Sequence, residues 1–416
     1  MKNLSYLVLA IAVLVVLLPN PDDQLYRKDR TNKRSFYPSN SIEIVSSENV
    51  TTLIVGGGPV GLSLALLLAD QGIRCMVVDK RDGQTKVPAA HQLNIRSNEI
   101  LQMHGGVSFE TLKSRSTPEE DFRWVVFRTA LTRKSFAKLD HVGFLREELE
   151  RNISWAPYFN IPQSGTEAAL LETIHSLPDD KRSLIDLRYG HALAHCLYDL
   201  QKCTVVEGGG TSRTGYMVNY KYVVDATGSA GVLRRALNVK MQGPKGIKHI
   251  VNVLVKVDLR RVFPSYEKPL MNWVISTPMP GISIHSNLTN RMNAQFVYNP
   301  PYEGKEDFTE TRINELVSGL IGDSSIPFEV EDLSFWRMDC QIAERYYINQ
   351  GNVFLVGDSA HRFPPTGGLG MNTGIADAQA LAWRLGMVER GQASPMLLAQ
   401  YGPERRSAAL QNSAVS

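Results

Sequence analysis

The tightest constraint on this chain is a glycine pattern set between a strand and a helix. Residues 51–55 (TTLIV) are a β-branched run that predicts a buried strand, and GGGPVG follows at 56–61 without a gap. Leu62, Leu64, Leu66, Leu67 and Leu68 then give an apolar helix that stops near Gly72. A second strand at 74–78 (RCMVV) closes on Asp79, eighteen residues after Gly61. Strand, glycine loop, helix, strand and acid in this order make a βαβ unit of about 30 residues, the context in which GxGxxG binds a dinucleotide. Gly56 permits the tight turn, Gly58 lets the main chain approach a pyrophosphate, and Gly61 lets helix and strand pack closely. The free N–H groups at the helix start face the phosphates, and Asp79 accepts hydrogen bonds from the adenosine ribose. Pro59 and Val60, inside the pattern, and Lys80, beside Asp79, are counted with the binding residues. On this motif alone an NAD dehydrogenase and an FAD enzyme both remain open.

A second segment bears on that choice. Residues 352–356 (NVFLV) predict another buried strand, which leads into GDSAHRFPPTGGLGMNTG at 357–374. A helix follows, with Ile375, Ala378, Ala382 and Leu385 on one face. The run GDSAHRFPPTGGLGMNTGIADAQALAWRL resembles the second flavin motif of the FAD-dependent aromatic hydroxylases, the group that contains the p-hydroxybenzoate and phenol hydroxylases. The resemblance implies that Asp358 bonds the ribityl chain and that Pro364 and Pro365 lie against the isoalloxazine ring. Gly367, Gly368 and Gly370 allow the main chain to approach a flat ring. The helix, expected to start near Asn372 with Met371 just before it, offers N–H groups to the pyrimidine end of the reduced ring. His361 is read as a packing or loop-fixing residue and not as a catalytic base. The resemblance extends to HQLNIRSNEI at 91–100, where Arg96 is implied to reach FAD, to NIPQ at 160–163, where Gln163 is implied to touch it, and to LLAQYGPERR at 397–406.

Two features depart from that family. Its members usually carry DGxxSxVR, which serves both FAD and NAD(P)H; this chain reads DATGSAGVLRR at 225–235, with Thr227 in place of the acid. That form looks more like the flavin halogenases and geranylgeranyl reductases of the same fold. The chain also ends ten residues after Arg406, where family members continue.

The resemblance implies an α/β chain. A discontinuous Rossmann-like FAD-binding domain is expected at 48–115, 156–240 and 342–416, with an inserted antiparallel β-sheet substrate domain at 116–155 and 241–341. The β-rich runs at 250–257, 271–275 and 293–298 fit that sheet. A cavity between sheet and flavin is expected to hold an apolar ring. The implied function is monooxygenation. NADPH or NADH, bound transiently, reduces FAD; O2 adds to form a flavin hydroperoxide; its distal oxygen attacks a phenolic or similar electron-rich small molecule. His249, His285, Tyr298, Trp336 and Arg337 are candidates by position for activating the substrate. The alternatives are a reductase or halogenase of the same fold, or a truncated, non-catalytic FAD-binding relative.

Composition bears on partners and placement. Lys and Arg number 45 against 42 Asp and Glu, and the net +3 resides in the first forty residues, so the body is formally neutral. A neutral body argues against a nucleic-acid partner. Residues 4–18 are an uncharged apolar run, about 22 Å long as a helix against a hydrocarbon core of about 30 Å. A hydrophobic helix at 1–20, acting as anchor or signal, and a linker at 21–47 are therefore expected. The basic cluster at 27–34 favours membrane association through the N-terminus with the catalytic body facing the cytoplasm; a secreted or lumenal product is the alternative. Cys75, Cys196, Cys203 and Cys340 have no CxxC spacing and are expected to be reduced. No metal site is expected.

Overall fold

The computed structural model describes residues 42–85, 90–118, 121–140, 154–210, 212, 214–263, 267–275, 279–288, 290–350 and 352–416. The expected N-terminal helix, and the linker as far as Ser41, lie outside them. Two compact units are present. One comprises Ser116–Trp155 and Lys245–Asp339; the other comprises Ala156–Pro244, Cys340–Ser416 and the described residues before Ser116.

The second of these units is built on parallel strands. Glu43–Val55 is flanked on one side by Cys75–Asp79 and then Ile185–Tyr189, and on the other by Thr214–Asp225 and then Val353–Leu355, all parallel. Tyr347–Ile348 closes one edge antiparallel. Strands covered on both faces must be apolar at successive positions, and Leu53, Ile54, Val77, Val223, Val224 and Leu355 are all fully buried. The Pro59–Asp70 helix packs against the long Leu369–Glu389 helix. Strand order reverses direction at Glu43–Val55, so the carboxyl ends of this strand and its neighbours border the crevice where such sheets take ligands.

Three expectations are corrected here. The first strand begins at Glu43, because its register with Thr214–Asp225 runs from Glu43↔Thr214 to Val55↔Asp225; residues 43–47 of the expected linker are therefore strand. Cys196 and Cys203 are not reduced thiols. They face each other across the antiparallel strands Ala192–Leu197 and Lys202–Val206, Cα atoms 4.0 Å apart, and form a disulfide. The expected domain borders at 240/241 and 341/342 move to 244/245 and 339/340, because Met241–Gln242 pairs with Gln341–Ala343 inside the parallel-sheet unit.

The other unit carries a seven-stranded sheet in the order Phe328–Met338, Lys248–Val257, Arg291–Tyr298, Gly281–Asn287, Pro269–Val274, Trp124–Arg128, Ala137–Asp140. It was expected to be antiparallel; it is so except between Pro269–Val274 and Trp124–Arg128, which come from separate chain segments and pair parallel. Alternation assigns the faces. Val251, Val253, Val255, Met292, Ala294 and Phe296 form a core with Ile313, Val317 and Leu320 of the Glu310–Ile321 helix. The opposite face presents Met271, Trp273, Ile282, Ile284 and Gln295, all half-buried. Trp336, on that face, donates from Nε1 to Asn252 Oδ1 at 3.2 Å.

His285 and Tyr298 belong to the helix side instead, 1% and 4% exposed, and Arg337 is paired with Asp339 at 2.7 Å. The buried pair is thus part of the core. His285 Nε2 lies 2.9 Å from Ser283 Oγ and 3.1 Å from Asn272 Nδ2, with the edge of Phe263 beside it. Burial, assisted by the Arg128 charge, pushes its imidazole down from 6.5 to about 3. The folded chain therefore refuses a proton that the unfolded chain accepts, so this stability is intact above pH 6.5 and is lost as pH falls toward 3. At about pH 5 the loss amounts to roughly 2 kcal/mol. Urea unfolding at the two pH values checks this: His285→Gln should remove that part of the acid sensitivity, and an undiminished drop in the variant would assign it to other groups.

Among the described residues no helix is long and apolar enough to cross a membrane.

Candidate functional site

Four segments leave the carboxyl ends of adjacent parallel strands and meet. The first is the glycine loop. Gly56 has φ +112°, and a Cβ there would sit 2.3 Å from Ala226 O, so the loop lies directly on the next strand's exit. A Cβ on Gly61 would lie 1.9 Å from Gly56 O, which explains the close helix–loop packing. Gly58 is different: nothing lies within 4 Å of its Cβ position. It is also the N-cap of the Pro59–Asp70 helix, with no side chain bonded to the first-turn amides. Those amides and the positive helix end are left to an anion. Pro59 is buried at the first helical position, and Val60 packs between the two motifs, its Cγ2 only 2.5 Å from where a Gly374 Cβ would be.

Asp79 ends the second strand. Its Oδ2 accepts from Gly57 N at 2.7 Å and from Arg81 Nη2 at 2.9 Å; its Oδ1 accepts from Arg81 N at 2.8 Å and Arg81 Nε at 3.1 Å. The carboxylate thus holds the glycine loop in place, and a ribose hydroxyl would take the bonds of the Arg81 side chain, which is about a third exposed. Lys80 is exposed and, with Arg81, Tyr189, His191, Gly208 and Gly209, lines a recess of about 550 Å³ beside Asp79. Gln163 is the first residue of the Gln163–Ser176 helix and donates from Nε2 to Glu167 Oε1 at 3.0 Å. Glu167, fully buried, accepts from Thr85 N at 2.8 Å and lies 3.7 Å from Arg81, so Gln163 is tied to Asp79 through two charged groups. Arg96 faces solvent and pairs with Glu99 at 2.9 Å.

The third segment carries the departure from DGxxSxVR. Asp225 is fully buried, and burial raises its carboxyl. The Thr227 hydroxyl donates to it at 2.6 Å, and Arg234 N donates at 2.9 Å. Thr227 Oγ1 also accepts from Val232 N at 2.9 Å. Threonine closes this loop by serving as donor and acceptor at once, which an ionised acid cannot do.

The fourth segment is the 357–374 loop. Ser359 Oγ donates to Asp225 O at 2.6 Å, fastening it to the third. The Asp358 side chain is exposed, beside the position of a Gly370 Cβ, 3.8 Å away. Pro364 is buried and Pro365 exposed. Gly367 and Gly368 take φ of +78° and +62°, and a Gly368 Cβ would collide with Gln92 Oε1 at 2.2 Å. The helix begins at Leu369, not near Asn372, because these two glycines complete the reversal before it. Met371 and Asn372 are consequently buried in its first turn. Asn372 donates from Nδ2 to Gln92 O at 3.0 Å and to Gly368 O at 2.7 Å, and its Oδ1 accepts from Asn94 N at 3.0 Å, so its side chain braces the loop. Gln92 and Glu167 organise the site without having been singled out as binding residues, although both lie in stretches that resemble the family, Gln92 in HQLNIRSNEI and Glu167 four residues after Gln163. Among the described residues no group of three or more His, Cys, Asp or Glu is placed to hold a metal.

Residues 49–416 match the family model described as the FAD binding domain. The chain belongs to that family. Membership decides what the glycine pattern left open, in favour of FAD over NAD. Similar proteins include 2,4-dichlorophenol 6-monooxygenase of Delftia acidovorans, 29% identical over 86% of this chain and 61% of that protein. Another is aklavinone 12-hydroxylase RdmE of Streptomyces purpurascens, 32% identical over 88% and 67%. Among solved structures, the flavin-dependent monooxygenase PieE in complex with FAD and substrate superposes with a TM-score of 0.80 at 26% identity, covering 88% of this chain and 62% of that one. Aklavinone-11 hydroxylase with FAD and aklavinone gives 0.77 at 28% identity. The chain therefore spans about three fifths of the first relatives' length. The residues fit FAD: an uncapped helix end faces open space at Gly58, an acid stands at the second strand's end, and positive-φ glycines line the loop beside Asp358.

Proposed function

We propose that this chain is an FAD-dependent monooxygenase that hydroxylates a small phenolic or similar electron-rich aromatic molecule with NAD(P)H and O2. The observation that carries the reading is the convergence of the 56–61, 225–235 and 357–374 segments at neighbouring strand ends, in a chain similar to named aromatic monooxygenases. Bound FAD supplies electron transfer from the nicotinamide and activation of oxygen. The chain supplies binding and orientation. The Pro59–Asp70 helix start would take the pyrophosphate, Asp79 the ribose, and Asp358 the ribityl hydroxyls. Pro365, Gly368, Gly370 and the amides of Met371 and Asn372 would hold the ring, and Gln163, Lys80 and Arg96 would add contacts to the cofactor. Those helix-start amides stabilise negative charge on the pyrimidine end.

For the substrate, the half-buried face with Trp273, Trp336, Met271, Ile282 and Ile284 offers apolar area to an aromatic ring, and the Asn252 and Gln295 amides offer hydrogen bonds to its oxygens. Purified protein should carry FAD and oxidise NADPH faster in the presence of a phenol from a panel, with a hydroxylated product by mass spectrometry. Bound FAD that neither NADPH nor NADH reduces would overturn the monooxygenase reading. As to placement, the proposal is association with a membrane through residues 1–20, checked by fractionating chains with and without that segment.

A further inference from the structure

The 357–374 loop is held from below by a charged group that would not touch FAD. Asp377, in the Leu369–Glu389 helix, is fully buried and binds two other segments through three residues. Gly357 N donates to its Oδ2 at 3.1 Å, His361 Nε2 lies 2.7 Å from the same oxygen, and Arg405 Nε donates to Oδ1 at 2.7 Å. Burial alone would raise this carboxyl, but His361 and Arg405 hold it below its ordinary value, so it stays ionised. His361 is therefore the loop-fixing residue that the motif suggests, stacked on Phe363 at 4.9 Å.

Gly357 and His361 bracket Asp358, the exposed acid of the loop, which makes no hydrogen bond among the described residues. The loop's main chain is pinned on both sides of a side chain left free to meet a ligand. Arg405 extends the arrangement to the C-terminal Tyr401–Val415 helix. Its Nη2 reaches Thr373 O at 3.4 Å; Asn412 Nδ2 donates to Thr373 Oγ1 at 2.8 Å; Tyr401 OH donates to Leu355 O at 2.8 Å. These bonds fall on the strand that leads into the loop and on the helix that leads out of it. A buried ion network is a weak source of net stability; this one ties the turn through Asp377, while His361 Nδ1 has no hydrogen-bond partner among the described residues.

We propose that Asp377 and Arg405 are positioning residues for FAD: through them the C-terminal helix holds the 357–361 turn in the shape that presents Asp358 to the cofactor. The inference rests on the FAD assignment above. Removing the guanidinium takes away two bonds that hold the turn's base and leaves the buried Asp377 carboxylate with one charged partner fewer, so apoprotein stability falls along with FAD affinity.

The test compares Arg405→Met and Arg405→Lys with the wild-type chain, measuring FAD dissociation constants by ultrafiltration, the visible spectrum of bound flavin, and thermal unfolding of the apoproteins. Arg405→Met should weaken FAD about tenfold, the scale of a lost charged hydrogen bond, and shift the bound flavin band. Arg405→Lys should restore most of the affinity, with apoprotein midpoints close to wild type. Arg405→Gln serves in the same way should Arg405→Met not fold. Wild-type FAD retention in the variant overturns the proposal, as does equal loss in both variants together with equally lowered apoprotein midpoints. A wild-type chain that takes up no FAD at all overturns the cofactor assignment, and this inference falls with it.

Discussion

A Gly61→Ala chain should emerge from purification without flavin. Its new Cβ would stand 1.9 Å from Gly56 O and 3.1 Å from Gly56 C, both main-chain atoms. Gly56 cannot retreat: its φ is +112°, and it already lies against Ala226 O. The helix must therefore move away from the loop, and overpacking of this kind costs about 1 to 3 kcal/mol or more. Because the shift separates the helix end from the loop that completes the phosphate site, FAD affinity should fall by roughly a hundredfold. Gly58→Ala is the informative partner. Nothing occupies the space around its Cβ, so this variant should keep wild-type urea stability while FAD binding weakens, because the methyl group points where the main chain must meet a phosphate. Absorbance at the flavin band per mole of protein, read beside the unfolding curve, separates the two failures. Equal FAD retention in Gly61→Ala and wild type would refute the packing argument.

Glu267→Ala should be the most damaging change in the sheet unit. The Arg128 side chain is 3% exposed, and its Nη2 donates to Glu267 Oε1 at 2.9 Å, while Ser135 Oγ donates to Oε2 at 3.0 Å. Arg128 Nη1 is bonded to Leu131 O at 3.0 Å, and the guanidinium lies over Phe263. Removing the carboxylate strands a buried cation, which costs about 3 to 5 kcal/mol. Calorimetry should show the loss in the transition of this unit, while FAD retention in the other is spared. The double variant Arg128→Met with Glu267→Leu should recover most of the stability, since no charge is then left unpaired. If the double variant is as unstable as the single one, the deficit lies in packing and not in charge.

The parts of the site that were legible from residues alone share one property: their requirement is local. Gly56 is needed for its own φ and Gly61 for contact with a carbonyl five residues away. The strand runs before both glycine segments are apolar because both faces are covered. The segments at 357–374 and 225–235 were readable through family resemblance, down to the threonine at 227, although not the reason that it is tolerated; its hydroxyl's double role depends on Val232 N and Asp225 arriving together. Where local pattern was pressed further it slipped. The helix was set near Asn372 although two positive-φ glycines already turn the chain at 367 and 368, and the first strand was cut at 51 although its ladder with Thr214–Asp225 starts at Glu43.

Sequence by itself determined that this chain builds a βαβ dinucleotide site, because glycine without a Cβ, proline with its fixed φ and β-branched runs carry their own conformational demands, and the flavin-type loop was implied by family resemblance. Tertiary structure decided which groups meet, near or far along the chain. Cys196 finds Cys203 through a strand register, Asn372 finds Gln92 and Asn94 across some 280 residues, and Asp377 gathers Gly357, His361 and Arg405. A charge or an amide does not specify its partner. The partner follows from strand order and helix packing, which only the folded chain possesses.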